Sequence, residues 1–200
     1  MTDKLGPPLL VPTTNLLSAG DVLTRPSRLP SEPGVYGWWF RRVPSGVPVE
    51  GCRRHDSLTL LYVGISPKAP PKNGAAASRQ NLRKRAGQHY RGNAAGSTLR
   101  LTLGCLLADE LGIQLRRVGP RDRMTFTRPG EAILSAWMKE NAYVSYQVEL
   151  EPWQVEDQLI AEELLPLNLR DNGHHPFHAR LSEQRAMART TARSLPIVKR

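Results

Sequence analysis

Gly34-Val35-Tyr36-Gly37-Trp38-Trp39-Phe40 is a β-branched and aromatic run that follows Pro33, and Thr59-Leu60-Leu61-Tyr62-Val63-Gly64-Ile65 is a second one. Both read as strands, because bulky and branched side chains suit a pleated surface and proline marks its edge. The eighteen residues between them hold Pro44, Gly46, Pro48 and Gly51, so they form a long hairpin-type connection. Trp38 and Trp39 are neighbours and point to opposite faces of their strand, one into the core and the other under the segment 91–142. A third strand is expected at 142–149, where Ala142-Tyr143-Val144-Ser145-Tyr146-Gln147-Val148-Glu149 alternates apolar and polar residues.

Helices surround these strands. Leu82, Ala86 and Tyr90 recur every fourth residue, which predicts a helix from Ser78 or Arg79 to Tyr90 with basic residues elsewhere on its surface. Further helices are expected over 98–111, ended by Gly112, and over 130–141. Leu99-Arg100-Leu101-Thr102-Leu103 alternates and could equally be a strand. Glu151-Pro152-Trp153 opens another helix, with proline in its first turn and Pro166 stopping it. An amphipathic helix closes the chain from Ala179 to Ser194. The expected fold is α/β (α+β): a small three-stranded sheet flanked by helices, with a helical insertion and a C-terminal helix.

The composition bounds the partners. The 200 residues carry 28 Lys+Arg against 18 Asp+Glu, a formal charge of +10. Ten basic residues and three acidic ones lie between Arg79 and Arg123, whereas 151–200 balances at seven and seven. A concentrated basic segment suits a polyanion, since each neutralised phosphate releases counterions; a merely soluble basic face is the bland alternative. No apolar run is long enough for a bilayer, so no membrane association is expected. Cys52 and Cys105 make neither a disulfide framework nor a C-x-x-C metal site, which fits a reducing cytoplasm.

On a helical wheel, Trp153, Val155, Leu159, Ile160 and Leu164 share one apolar arc and Glu156 lies near its middle, with Glu163 on the same arc toward the helix end. A carboxylate so placed needs a cation. An arginine would serve, and so would a hard metal ion such as Mg²⁺, which takes one or two carboxylates plus waters. Arg85 and His89 are four apart and share the inward face of the basic helix. An inward guanidinium stabilises charge developing on a phosphoryl group, and an imidazole one turn away relays a proton or binds a phosphate oxygen. Each could instead be packing, as could Tyr36 and Tyr62 beside their glycines. His174, His175 and His178 crowd around Pro176 and give a poor tetrahedral set for zinc; a turn is the better reading.

Taken together, Gly34-Val35-Tyr36, Tyr62-Val63-Gly64, Leu82 through His89, Glu156-Asp157-Gln158-Leu159-Ile160 and Pro166-Leu167-Asn168 resemble the GIY-YIG nuclease superfamily. The separations of four from Arg85 to His89 and of twelve from Glu156 to Asn168 match, and the order of the five elements is right. The resemblance implies Tyr36 and Tyr62 on adjacent strands, Arg85 and His89 on the following helix, and Glu156 as the acid that binds Mg²⁺ (or Mn²⁺). It implies a metal-dependent DNA endonuclease. Tyr36 is then the general base, Tyr62 its positioner, Arg85 the clamp on the phosphate, and Asn168 a group that orients metal-side oxygens or closes the site. Arg79, Arg83, Lys84 and Arg91 are the expected nucleic-acid contacts, double-stranded DNA the expected partner, and a homodimer one way of cutting both strands. Relative to the compact repair nucleases, 66–78 and 91–142 are insertions, an expansion that looks more like the restriction-endonuclease branch. The expected organisation is an extended arm over 1–30, a nuclease domain over 31–178 and a C-terminal helix and tail over 179–200. The rival reading is a non-catalytic DNA-binding or regulatory protein that retains the fold.

Overall fold

A glycine lets the central hairpin close. In the computed structural model, which describes residues 16–71, 78–119 and 122–199, strand β1 (Gly34–Phe40) lies antiparallel to β3 (Leu58–Ser66) with Tyr36 opposite Gly64. A Cβ on Gly64 would fall 2.6 Å from the Tyr36 hydroxyl oxygen, so only glycine allows that ring to lie across the neighbouring strand. On the other flank β1 pairs with β6 (Ala142–Val148), and the short β2 (Arg54–His55) adds to the outer edge of β3. The sheet therefore has the order β2-β3-β1-β6, four strands where the sequence predicts three. The extra strand is two residues long, too short for side-chain alternation to announce it.

Helices cover both faces of this sheet. The short α1 (Ala19–Leu23) opens on a capping box in which Ser18 and Asp21 satisfy each other's backbone amides. Helix α2 (Leu82–Arg91) is capped by Asn81, whose side chain accepts the Lys84 N–H at 2.9 Å. Beyond it come α3 (Thr98–Leu106) and α4 (Ala108–Leu111), a ribbon of β4 (Arg116–Arg117) and β5 (Met124–Thr125), and α5 (Thr127–Asn141). Gly112 ends α4 in the left-handed region at φ 60°, where a glycine terminus costs least. The alternating stretch at 99–103 is helical; it is buried on all sides, and with no solvent-facing side the alternation carries no signal. Helices α6 (Pro152–Glu162) and α7 (His178–Ser194) complete the fold.

Tyr36, Trp38 and Phe40 face α2, α3 and α5, whereas Val35 and Trp39 face α6 through Leu159 and Ile160. Both tryptophans are fully buried, each in a different half of the core, and Trp38 is the one that meets the 91–142 side. A bulge opposite Trp38 and Trp39 leaves Leu61 unpaired with β1. The sequence-derived arm over 1–30 is corrected for residues 16–30: Leu17 pairs with Val144, and Leu17, Val22 and Leu29 are core residues. Proline content misled there, since prolines at 26 and 30 flank α1 without excluding it. Residues 1–15 of the expected arm and 72–77 of the expected loop lie outside the described residues.

The segment 91–142 is tied into the core by a buried ion pair. Arg100 on α3 is fully buried and reaches Glu131 on α5 at 2.6 Å. The same guanidinium donates to the carbonyl oxygens of His89 at 3.0 Å and Tyr90 at 3.3 Å, satisfying the last turn of α2. Glu131 also accepts the Ala94 and Phe126 N–H groups, so both charges are fully hydrogen-bonded. Glu163, expected toward the helix end, caps the C-terminus of α6 and pairs with Arg53 of the long connection, the arginine partner that serves a carboxylate on that arc. Leu164 leaves the predicted apolar arc and is exposed, because α6 has already ended at Glu162. No described helix is long and apolar enough to cross a membrane.

Candidate active site

Strand β1 carries Tyr36 inward toward α2, and the hydrogen bonds there follow a line. The Tyr36 hydroxyl lies 2.9 Å from His89 Nε2, and the other ring nitrogen of His89 lies 2.7 Å from Ser97 Oγ. Arg85 Nε donates to the same hydroxyl at 3.4 Å, one turn before His89. The Arg85 guanidinium is held in turn by the Gln88 side chain at 2.9 Å and the Gly96 carbonyl at 3.0 Å. Ser97 serves twice, since it also caps α3 by accepting the Arg100 N–H at 3.1 Å.

In front of Tyr36 a cleft of about 270 Å³ opens. Tyr36, Tyr62, Arg85, Glu156 and Asn168 all line it, so five of the six predicted catalytic residues share one cavity. They come from β1, β3, α2, α6 and the loop after α6. The sixth, His89, has no exposed surface. It cannot meet a phosphate oxygen directly and touches the cleft only through Tyr36. Lys68, Thr98, Arg170 and Asp171 also line the cavity and were not among the predicted residues. Lys68 lies in the loop 66–78 and Thr98 at the start of a predicted helix, and neither position has a sequence signal that places it at the cleft. Ser97 and Gln88 escaped for the same reason, being meaningful only once 91–97 has turned back against α2.

Asn168 turns both ends of its amide to the neighbouring strand. Its Oδ1 accepts the Val63 N–H at 2.9 Å and its Nδ2 donates to the Val63 carbonyl at 3.0 Å. The residue thus acts like one rung of an added strand and fixes Tyr62-Val63-Gly64. Asn172 secures it from behind by donating to the Asn168 carbonyl at 3.1 Å. His175, from the histidine cluster, closes a turn by accepting the Phe177 N–H at 3.1 Å.

Electrostatics divide these groups. Burial drives the phenol pKa of Tyr36 up, with the Arg85 charge opposing, and burial likewise raises that of Tyr62. His89 is held well below its ordinary 6.5 by burial and by the Arg85 and Arg100 charges, so it is neutral at pH 7. Burial pushes Glu156 up to about 7; Arg170 and Lys68 oppose the shift, and Asp157 and Asp171 add to it. Glu156 has no hydrogen bond or ion pair to any described residue. A half-buried carboxylate that no described residue pairs, facing a polar cleft, fits one hard divalent ion that keeps most of its water. No three His, Cys, Asp or Glu side chains converge into a metal cage among the described residues.

The neutral His89 gives a stability prediction. Its folded pKa is depressed, so the unfolded chain binds the extra proton; the stabilisation is complete above about 6.5 and is lost as pH falls toward the folded value. The expected slope below pH 6.5 is about 1.4 kcal/mol per pH unit from this residue. Urea unfolding at pH 5.0, 6.0 and 7.5 measures it, and His89→Gln removes that part of the slope.

Of the expected nucleic-acid contacts, Arg79, Lys84 and Arg91 are exposed. Arg83 is exposed too, but anchors itself by donating to the Leu29 carbonyl at 2.7 Å. No curated protein and no solved structure matches this chain. A family model described as the GIY-YIG catalytic domain matches residues 34–187, a span that runs from the first residue of β1 into α7 and takes in both insertions. With the tyrosines of the paired strands, the arginine of α2 and the acid of α6 gathered around one cleft, and more than half of the chain inside that match, the protein belongs to the GIY-YIG catalytic domain family and its function is of the nuclease type.

Proposed function

We propose that the cleft hydrolyses phosphodiester bonds of double-stranded DNA as an endonuclease dependent on Mg²⁺ or Mn²⁺. The observation that carries this reading is Glu156, without a partner among the described residues, facing Tyr36, Tyr62 and Arg85 across a single cavity. Glu156 would hold the ion; when bound, the ion supplies Lewis-acid polarisation of a phosphate oxygen and of the leaving group. Tyr36 takes the proton of the attacking water. Arg85, fixed by Gln88 and Gly96, grips the phosphate oxygens and favours the phenolate of Tyr36. His89 holds the phenol oxygen in line, with Ser97 setting the imidazole from the far side. Tyr62, clamped through Asn168, positions the water.

A passive DNA-binding module would have no use for a carboxylate that burial penalises and that no described residue pairs. An insertion packed into the core supports the restriction-type branch over a compact repair enzyme, and cleavage of both strands then needs two protomers or two visits. Incubation with supercoiled plasmid tests the reading: nicked and linear products are expected with Mg²⁺ or Mn²⁺ and none with EDTA. Intact plasmid in every divalent ion would return the chain to the binding class.

A further inference from the structure

The face of α2 turned away from Arg85 borders two grooves, and they meet at Arg91 and Gly92. The first, about 580 Å³, runs between residues 22–27 and α2, and its cations are Arg25, Arg83, Lys84 and Arg91. The second, about 690 Å³, continues past Asn93 between the β4–β5 ribbon, α5 and the C-terminal segment, where Arg123, Arg128 and Lys199 join Arg91. The first has no carboxylate in its walls. The second has only Glu131, both of whose oxygens are already taken by Arg100 and two backbone amides. None of these cations forms an ion pair within the described residues. Seven positive charges thus line one continuous path with no counter-charge, an arrangement that costs self-repulsion unless a polyanion covers it.

We infer that this path is a phosphate-backbone track for DNA flanking the bond in the cleft, built by residues 22–27 and the 91–142 insertion. The inference rests on DNA being the substrate, and goes beyond that reading by assigning the insertion a task. The path adjoins the cleft at Gln88, which lines the first groove while its side chain holds Arg85. At 1.5 Å of rise per residue, Lys84 and Arg91 stand about 10 Å apart along α2, far enough to reach different phosphates of one strand. Gly87 and Gly92 lie on the groove wall, and the missing side chains let a sugar–phosphate chain approach the helix. The contacts are to phosphates and carry affinity and register rather than base identity.

The test is the salt dependence of binding to a duplex oligonucleotide in EDTA, for the wild type and for the triple variant Arg25→Gln, Arg123→Gln, Arg128→Gln. A duplex contact contributes about 0.9 to the slope of log K against log salt, so the variant is expected to lose between 2 and about 3 from the slope and at least tenfold in affinity. Its melting temperature should stay at the wild-type value, since all three side chains are exposed. A second triple variant, Arg42→Gln, Arg54→Gln, Arg180→Gln, removes the same charge elsewhere and should keep the slope within about 1. Equal slopes in wild type and track variant overturn the inference, and so does an equal loss in both triple variants. Plasmid cleavage with Mg²⁺ alongside an unchanged slope would remove the track and keep the nuclease; a lowered slope without cleavage would do the reverse.

Discussion

Replacing Glu156 with glutamine should lower the rate of plasmid cleavage by about 10³-fold or more, a loss of about 4 kcal/mol of transition-state stabilisation, while duplex binding in EDTA stays within about threefold of wild type. The expectation follows from what surrounds the carboxylate. It is half-buried and has no partner among the described residues, and burial pushes it up to about 7. An isosteric amide keeps the shape and the hydrogen-bonding reach but cannot hold a dication. Glu156→Ala should behave alike, which separates loss of charge from loss of volume.

The same substitution has a second consequence of opposite sign. The folded pKa of Glu156 lies above the unfolded value, so the folded chain binds the proton more tightly and stability falls as pH rises from about 4.5 to about 7. The ionised side chain then costs the fold up to about 3 kcal/mol, less what residual solvent contact screens. Glu156→Gln should therefore be at least as stable as wild type at pH 8. Tenfold excess of Mg²⁺ over its dissociation constant should raise wild-type stability by about 1.4 kcal/mol and leave the variant unmoved. A variant that is inactive yet less stable at pH 8 would mark Glu156 as a structural residue.

The site was legible in the sequence where chemistry conflicts with periodicity. A carboxylate in the apolar arc of residues 153–160, and an arginine and histidine on the inward face of 82–90, break the patterns that fold their helices, and each proves to lie at or directly behind the cleft. The strands were legible because their aromatic and branched runs pack on both sides. What stayed hidden depended on long-range contact. Ser97 reads as an ordinary helix cap until α3 is laid against α2. Arg100 sits in a stretch that fits helix or strand, and only the distant Glu131 explains its burial. The four-residue periodicity of α2 gave its buried face but not which exposed cations share a groove, since residues 22–27 complete that groove from elsewhere in the chain.

Tyr36→Phe should cost between 10² and 10⁴ in turnover and change the form of the pH–rate profile. A phenol at its ordinary pKa near 10 is already about 4 kcal/mol short of ionisation at pH 7, and burial here raises it further. The base is the deprotonated form, so in saturating metal the wild-type rate should climb about tenfold per pH unit from 7.5 to 9 without a plateau, above the range in which Glu156 ionises. His89 cannot easily take the proton itself, because burial and the Arg85 and Arg100 charges oppose an imidazolium. Its contribution is therefore to present Nε2–H to the phenol oxygen, and Ser97 permits this: its oxygen accepts from the Arg100 amide and its own proton is free for Nδ1. Tyr62→Phe removes a positioning hydroxyl only, and should keep the slope with a loss of about tenfold. Should Tyr36→Phe retain the wild-type slope of rate against pH, some other group is the base, and the line from Ser97 through His89 to Tyr36 would then be packing rather than machinery.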